Sequence, residues 1–215
     1  MTKFALLLLM IGCLHVSHVF GQPTPATGSE SAGLDSDFLL RVWDTSEGQF
    51  PTTPRCIAQT RDGYVWLASF DGVVRFDGAH AVTFSGKNCP GLPSPMLTTL
   101  VYADRQHRVW AATADGGLFS FDQLAWRGYG SAENWSGTEV VAIAESADGT
   151  LLLAGKRELR RFDGKKFADA AMPVDLGTAQ LKNVFFDKQD KPWIVSNRAA
   201  WTQDGAAWTL SLIHI

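Results

Sequence analysis

The stretch RDGYVWLASFDGVVRFDG, residues 61–78, decides the fold. It places one Asp-Gly pair before an aromatic strand, a second pair after it, and then a strand that ends in Phe76-Asp77-Gly78. Asp-Gly pairs predict hairpin turns, because glycine adopts a positive φ without steric cost. The stretch therefore predicts short antiparallel strands joined by tight turns.

Similar stretches follow three more times. The matching residues Trp66, Trp110, Leu152 and Trp193 are 44, 42 and 41 residues apart, and we call their place in the repeat the anchor position. An aspartate follows each anchor after 11 or 12 residues, and an apolar strand precedes each copy. A period of about 40 to 45 residues that holds several short strands is typical of a propeller blade.

The repeats predict an all-β fold, a β-propeller of which this chain holds four blades in an open arc. The blades are expected near residues 55–85, 98–129, 139–169 and 182–209, within a propeller segment that spans 36–209. One four-stranded blade cannot cover both of its faces, so the same large residue is needed in each copy to pack against the next blade. A strand at 38–43 is expected to complete the last blade of the closed ring.

The flanking segments carry different signals. Lys3 followed by an apolar run to Phe20 predicts a secretory signal peptide, residues 1–21, while lipidation of Cys13 is a weaker alternative. Residues 22–35 are rich in Pro, Thr, Ser and Gly and are expected to be disordered. The ending LSLIHI, residues 210–215, matches an in-frame translation of a sequencing adaptor and is expected to contribute nothing to the fold.

The net charge bears on the possible binding partners, and the cysteine content bears on disulfide formation. A net charge of −3 gives no electrostatic reason to expect binding to nucleic acid or to an anionic membrane surface. Cys56 and Cys89 remain after signal cleavage, and in an oxidising compartment they either form a disulfide or stay as two isolated thiols.

Two of the copies, IAQTRDGYVWLASFDGVVRFDG and LVYADRQHRVWAATADGGLFSFD, resemble the two-component regulator propeller repeats. That resemblance implies a periplasmic sensor region, usually a seven-bladed ring, in front of a membrane helix and a histidine kinase or diguanylate cyclase. We therefore expect an exported N-terminal fragment of an inner-membrane receptor, not itself an enzyme. A secreted propeller enzyme (a lyase or hydrolase) and a scaffold propeller are the alternatives.

The sequence predicts no catalytic residue, no metal site and no cofactor. Outside the leader and the ending, the histidines are His80 and His107, at turns of different blades, and no carboxylate pair has a catalytic spacing. The recurring aspartates, such as Asp77, are interpreted as turn caps, because Asp bonds its own backbone at such positions.

Ligand contact is expected on the edge that carries the loops between blades and the turns between the second and third strands. The candidate residues there are Asn88, Tyr129, Glu133, Asn134, Trp135, Arg157 and Arg198. Trp135 either contacts a ligand or packs over a blade edge. The expected partner is an extracellular small molecule or glycan; no nucleic acid is expected, the membrane is expected only through the missing C-terminal part, and the full-length receptor is a candidate homodimer.

Overall fold

A computed structural model describes residues 53–173, 176–205 and 207–211 of the chain, all within one compact unit. The predicted signal peptide, the 22–35 segment, the strand at 38–43 and residues 212–215 lie outside the described residues. The predictions made for those segments stay predictions.

Sixteen strands form four sheets of four, which we call blades 1 to 4 in chain order. The strands of blades 1 and 2 are β1 Cys56–Gln59, β2 Val65–Ser69, β3 Gly72–Phe76, β4 Ala81–Phe84, β5 Thr98–Ala103, β6 Val109–Thr113, β7 Leu118–Phe121 and β8 Trp126–Gly128. The strands of blades 3 and 4 are β9 Val140–Glu145, β10 Leu151–Gly155, β11 Leu159–Phe162, β12 Phe167–Asp169, β13 Leu181–Phe186, β14 Pro192–Ser196, β15 Ala200–Asp204 and β16 Ala207–Ser211.

Each blade is an antiparallel meander in which consecutive strands pair. The first strands of consecutive blades lie next to one another, β1 by β5, β5 by β9 and β9 by β13. The prediction of an all-β propeller with four blades in an open arc is confirmed. A short 3₁₀ helix at Ser131–Glu133 lies in the connection between blades 2 and 3.

The anchor position is the second residue of the second strand in every blade. The register sets Trp66 opposite Ala58, Trp110 opposite Tyr102, Leu152 opposite Ala144 and Trp193 opposite Phe185. Trp66, Trp110 and Leu152 are buried, whereas Trp193 is half-buried. The alignment read from the sequence is therefore the alignment of the structure.

The core consists of three apolar clusters, one for each pair of neighbouring blades. We call the contacts between blades 1 and 2, 2 and 3, and 3 and 4 junctions 1, 2 and 3. Their buried members include Ala68 and Met96 at junction 1, Trp110 and Leu151 at junction 2, and Leu152 and Ile194 at junction 3. Burial between blades thus supplies the hydrophobic stabilisation that a lone blade lacks.

Junctions 1 and 2 each contain a cluster of packed aromatic rings, and we call the three that lie at matching positions in both junctions the aromatic trio. At junction 1, Trp66 lies 5.8 Å from Phe84 and 5.6 Å from Phe121 between ring centroids. At junction 2, Trp110 lies 5.0 Å from Tyr129 and 5.3 Å from Phe162. Each trio joins the anchor and the fourth-strand side of one blade to the third strand of the next.

The anchor indole also fixes the turn that precedes it. The residue six positions earlier accepts the indole N–H in every blade with a tryptophan anchor: Thr60 Oγ1 at 3.2 Å, Asp104 Oδ2 at 2.9 Å and Asp187 Oδ2 at 3.0 Å. The same carboxylates accept backbone N–H groups of the turn, for example Arg108 N on Asp104 at 2.9 Å. Because a buried indole needs an acceptor, this bond couples turn geometry to anchor position.

The expectation that residues 210–215 contribute nothing to the fold is wrong for the first two of them. Leu210 pairs with Trp201 and Ser211 pairs with Ala200 at the end of β16. Strand pairing uses backbone groups, so it depends little on which side chains the segment carries. The adaptor origin of the segment stays a prediction.

Replacing Trp110 with Ala should lower the free energy of unfolding by about 3–5 kcal/mol, the usual cost of deleting a buried aromatic side chain. Trp110 is 0% exposed and loses two ring contacts and one hydrogen bond. Trp193→Ala is the matched control and should cost less, because Trp193 is half-buried. Urea unfolding followed by circular dichroism measures both; equal losses would contradict the account of junction 2.

Gly72→Ala should destabilise the chain much more than Gly78→Ala. Both glycines have positive φ, 135° and 100°, so both substitutions carry backbone strain of about 1–3 kcal/mol. A Cβ on Gly72 would lie 2.1 Å from the carbonyl oxygen of Phe84, whereas a Cβ on Gly78 meets nothing within 4 Å. Thermal unfolding of the two variants separates strain from the clash; similar midpoints would show that β3 and β4 are further apart than described.

Candidate ligand-binding edges

Because consecutive strands run in opposite directions, each blade has two edges that carry different turns and connections. The loop edge carries the turns between second and third strands together with the described parts of the connections between blades, residues 85–97, 129–139, 170–173 and 176–180. The opposite edge, which we call the turn edge, carries the turns between first and second strands and between third and fourth strands. All the residues predicted from the sequence to contact ligand belong to the loop edge.

Trp135 is part of the interior, which decides between its two predicted roles in favour of packing. It is 5% exposed, and its ring lies 4.9 Å from that of Phe167. Its indole N–H donates to the carbonyl of Gly116 at 2.9 Å, which ties the connection between blades 2 and 3 to a turn of blade 2. The side chain therefore shapes the loop edge from beneath it.

Tyr129, Glu133 and Asn134 also have structural partners. Tyr129 belongs to the aromatic trio of junction 2, and its hydroxyl lies 2.9 Å from Ser120 Oγ. Glu133 accepts hydrogen bonds from Gly130 N at 3.1 Å and Arg127 at 2.8 Å, and these bonds lower the pKa of its carboxyl. The exposed Asn134 adopts a left-handed backbone conformation, and its carbonyl accepts a 2.6 Å bond from Arg160.

Asn88 lies in the connection between blades 1 and 2. Its side chain is exposed, but its amide is committed to its own loop: Oδ1 accepts from Ser85 N at 3.0 Å, and Nδ2 donates to Thr83 O at 2.6 Å. Neither bond is available to a ligand without opening the loop.

Arg157 and Arg198 are the predicted residues that keep free donors on the loop edge. Arg157 is exposed, and one of the five N–H groups of its guanidinium donates to Gly177 O at 2.7 Å. Arg198 is exposed, and within the described residues its side chain forms no hydrogen bond or ion pair. Both flank the connection between blades 3 and 4, where Gln180 N donates to Asn197 Oδ1 at 3.0 Å.

A cavity lies on the turn edge, at junction 3. It has a volume of about 370 Å³, and its lining includes Asp148, Leu152, Arg161, Phe186 and Gln203. The aromatic trio is missing there: Leu152, Ala170 and Gln203 occupy the positions of Trp66, Phe84 and Phe121. A smaller cavity of about 110 Å³ occupies the same place at junction 1, where the trio is present.

Sequence reasoning missed this cavity, although a signal exists. The first trio position is the anchor. The other two are counted from the aspartate that follows each anchor by 11 or 12 residues: one lies seven residues after it, and the other lies just before the corresponding aspartate of the next blade. In the third junction all three positions lose their aromatic residue.

Three of the four recurring aspartates, Asp77, Asp122 and Asp163, act as turn caps. Asp77 Oδ1 accepts from Ala79 N and His80 N at 2.8 and 2.6 Å, and Asp122 and Asp163 make the same pair of bonds. Hydrogen bonds from backbone N–H groups favour the ionised form and lower the pKa of all three carboxyls. Cys56 and Cys89 are free thiols in the structure.

The described residues contain no group of three His, Cys, Asp or Glu side chains placed to hold a metal ion. Within those same ranges, no helix has the length and apolar character needed to cross a membrane.

Solved structures with a similar arrangement of strands include extracellular domains of two-component systems and enzymes. The extracellular domain of the hybrid two-component system BT3049 from B. thetaiotaomicron matches with a TM-score of 0.60 at 20% identity, covering 72% of this chain and 22% of that one. The extracellular domain of BT4673 from the same organism gives 0.59 at 15% identity, with 74% and 21% covered.

A catalytically inactive histidine-to-alanine variant of virginiamycin B lyase from Staphylococcus aureus, with quinupristin, gives a TM-score of 0.62 at 14% identity, covering 76% of this chain and 56% of that one. The chain spans about a fifth of the length of the two extracellular domains. At these identities the similarity shows the propeller fold. The matching structures include domains of two-component systems, the class of protein whose propeller repeats this sequence resembles. No family model matches the sequence, and no curated protein matches it either.

Asp148, on the wall of the junction 3 cavity, should titrate well below an ordinary aspartate. The Ser146 hydroxyl, which donates to Asp148 at 2.5 Å, and Thr150 N at 2.9 Å lower the pKa of Asp148 from 3.8 to about 2. The lowered value means that the carboxylate stabilises the fold above about pH 4 and that this contribution is lost as pH falls toward 2.

Carbon-detected NMR titration of the Asp148 carboxyl measures this directly. Ser146→Ala should raise the pKa toward 3.8, whereas Ser136→Ala, at an exposed serine of the loop edge, should leave it unchanged. A midpoint near 4 in the unmodified chain would show that the Ser146 bond does not form.

Proposed function

We propose that the chain is the extracytoplasmic sensing propeller of a bacterial signal-transduction receptor, in a two-component or cyclic-dinucleotide pathway. The observation that carries the proposal is the shared architecture: the repeats resemble regulator propellers, and the same blades occur in extracellular domains of hybrid two-component systems. Export through the predicted signal peptide and a periplasmic position belong to the same proposal.

The loop edge of blades 3 and 4 is the proposed recognition surface. Blades 3 and 4 pack through a buried apolar cluster that includes Leu152 and Ile194 and forms a stable support. Connections on such a support are where binding residues concentrate. Arg157 and Arg198 present guanidinium donors there, suited to the hydroxyl or carboxylate oxygens of a small molecule or glycan. Trp135 supports the surface without touching the ligand.

The alternative is a secreted propeller enzyme. The virginiamycin B lyase in the comparison is inactive as a histidine-to-alanine variant, so that enzyme depends on a histidine. In this chain the described histidines, His80 and His107, are exposed and belong to turns on the turn edge, in two different blades. Both lie on the edge opposite the proposed recognition surface, which supports the sensor over a lyase of that type.

The test is binding and turnover by the purified full chain against a panel of soluble oligosaccharides. A sensor should bind one member and return it chemically unchanged. At a ligand concentration a hundred times Kd, binding stabilises the folded state by about 2.7 kcal/mol. That corresponds to a rise of roughly 5–10 °C in the midpoint of thermal unfolding.

Two variants locate the site. Arg157→Ala with Arg198→Ala should abolish the thermal shift, whereas Lys165→Ala, on the turn edge, should retain it. A shift that survives in the double variant would remove the loop edge of blades 3 and 4 from the proposal. Mass-spectrometric detection of a cleaved or isomerised product would replace the sensor with the enzyme.

A further inference from the structure

The junction 3 cavity has the size of a ligand site. Small-molecule pockets typically measure about 300–1,000 Å³. The cavity, at about 370 Å³, falls within this range, and its counterpart at junction 1, at about 110 Å³, does not. The difference arises from smaller side chains at matching positions, which include Thr150 in place of Tyr64 as well as the lost trio.

An unpaired cation lines this cavity. At junction 1 the matching arginine, Arg75, lies over aromatic rings, 4.7 Å from the centroid of Tyr64 and 5.6 Å from that of Phe84. Arg161 has no such ring in the described part of the chain. Its guanidinium is exposed, contacts Thr150 Oγ1 at 3.5 Å, and makes no ion pair with any described residue. Most of its donors therefore remain available.

An anion lines the same cavity without touching that cation. Asp148 is exposed and ionised at ordinary pH, and it forms no ion pair with the described residues. Arg161 is near enough to favour its ionised form, although this is the smallest of the causes that lower its pKa. The third charged residue of the lining, Asp169, is already paired with Arg160 at 2.8 Å.

Apolar side chains form part of the remaining wall, alongside the polar Ser146 and Thr150. Leu152 is 7% exposed and lies beneath the cavity, while Phe186 and Pro192 face it from blade 4, together with Gln203. The lining thus combines apolar surface for packing with polar and charged groups that can orient a ligand, which are the two elements of a small-molecule site.

From a cation and an anion that share one rim above an apolar floor, we propose that junction 3 binds a small zwitterion with an apolar side chain, in the class of the apolar α-amino acids. The carboxylate pairs with the Arg161 guanidinium, the ammonium group pairs with Asp148, and the side chain packs against Leu152 and Phe186. This site lies on the turn edge, so it is separate from the proposed recognition surface and does not rest on it.

Isothermal titration of the full chain with L-phenylalanine and L-leucine tests the proposal. At least one of them should bind with a Kd of about 1 mM or tighter, the strength expected for a ligand of this size. N-acetyl-L-phenylalanine lacks the ammonium charge, and L-phenylalanine amide lacks the carboxylate. Each should bind at least about tenfold more weakly, because each loses one charge-assisted pair.

Three variants assign the binding to junction 3. Arg161→Gln and Asp148→Asn should each weaken binding of the zwitterion about tenfold or more. Leu152→Trp restores the anchor found in the other blades and should remove detectable binding by filling the cavity. Asp62→Asn changes the matching carboxylate at junction 1 and is the control; it should leave Kd within about twofold.

Two kinds of result would overturn the proposal. One is the absence of binding by both amino acids at about 10 mM, or equally tight binding of the singly charged analogues. The other is an unchanged Kd in Arg161→Gln, a substitution at an exposed side chain that leaves the fold intact and so keeps the test valid if Leu152→Trp does not fold. Circular dichroism of each variant verifies its fold.

Discussion

Packing of the anchor side chain against the next blade is the contact on which the rest of the structure depends. Trp66 and Trp110 sit at the second residue of the second strand, with rings from their own blade and the following blade around them. Burial of apolar surface contributes about 25 cal/mol per Å², and this is surface that a single blade cannot bury alone. Where the trio is replaced, beginning with Leu152, the same geometry leaves a cavity between blades. The anchor contact, repeated between blades, thus accounts for the open arc of four blades, and its replacement accounts for the cavity at junction 3.

The blades were predictable from the sequence because their signals are local and recur. Turn pairs such as Asp62-Gly63 mark where strands end, and the spacing of the anchors fixes which strand is which. The fourth copy is the loosest match, yet Trp193 takes the anchor position. Its turn obtains the same geometry from the Asp187 cap and from a positive φ of 60° at Asp190.

The candidate site was predictable only as an edge. Trp135 looks like a surface residue because its neighbours are polar, but its place is set by a bond to Gly116, 19 residues away, which no local pattern encodes. The junction 3 cavity requires Leu152, Ala170 and Gln203 to meet across two blades. None of these three residues alone indicates a cavity. The cavity can be inferred only when the strand register shows that all three occupy the trio positions of one junction.

A double-mutant cycle across junction 2 tests the central claim most directly. Trp110 and Phe162 belong to different blades and their ring centroids lie 5.3 Å apart, edge to face. Urea unfolding of Trp110→Leu, Phe162→Leu and the double variant should give a coupling free energy of about 0.5–1.5 kcal/mol, as expected for an aromatic pair in contact. Losses that add to within about 0.3 kcal/mol would contradict the claim that the anchors hold neighbouring blades together.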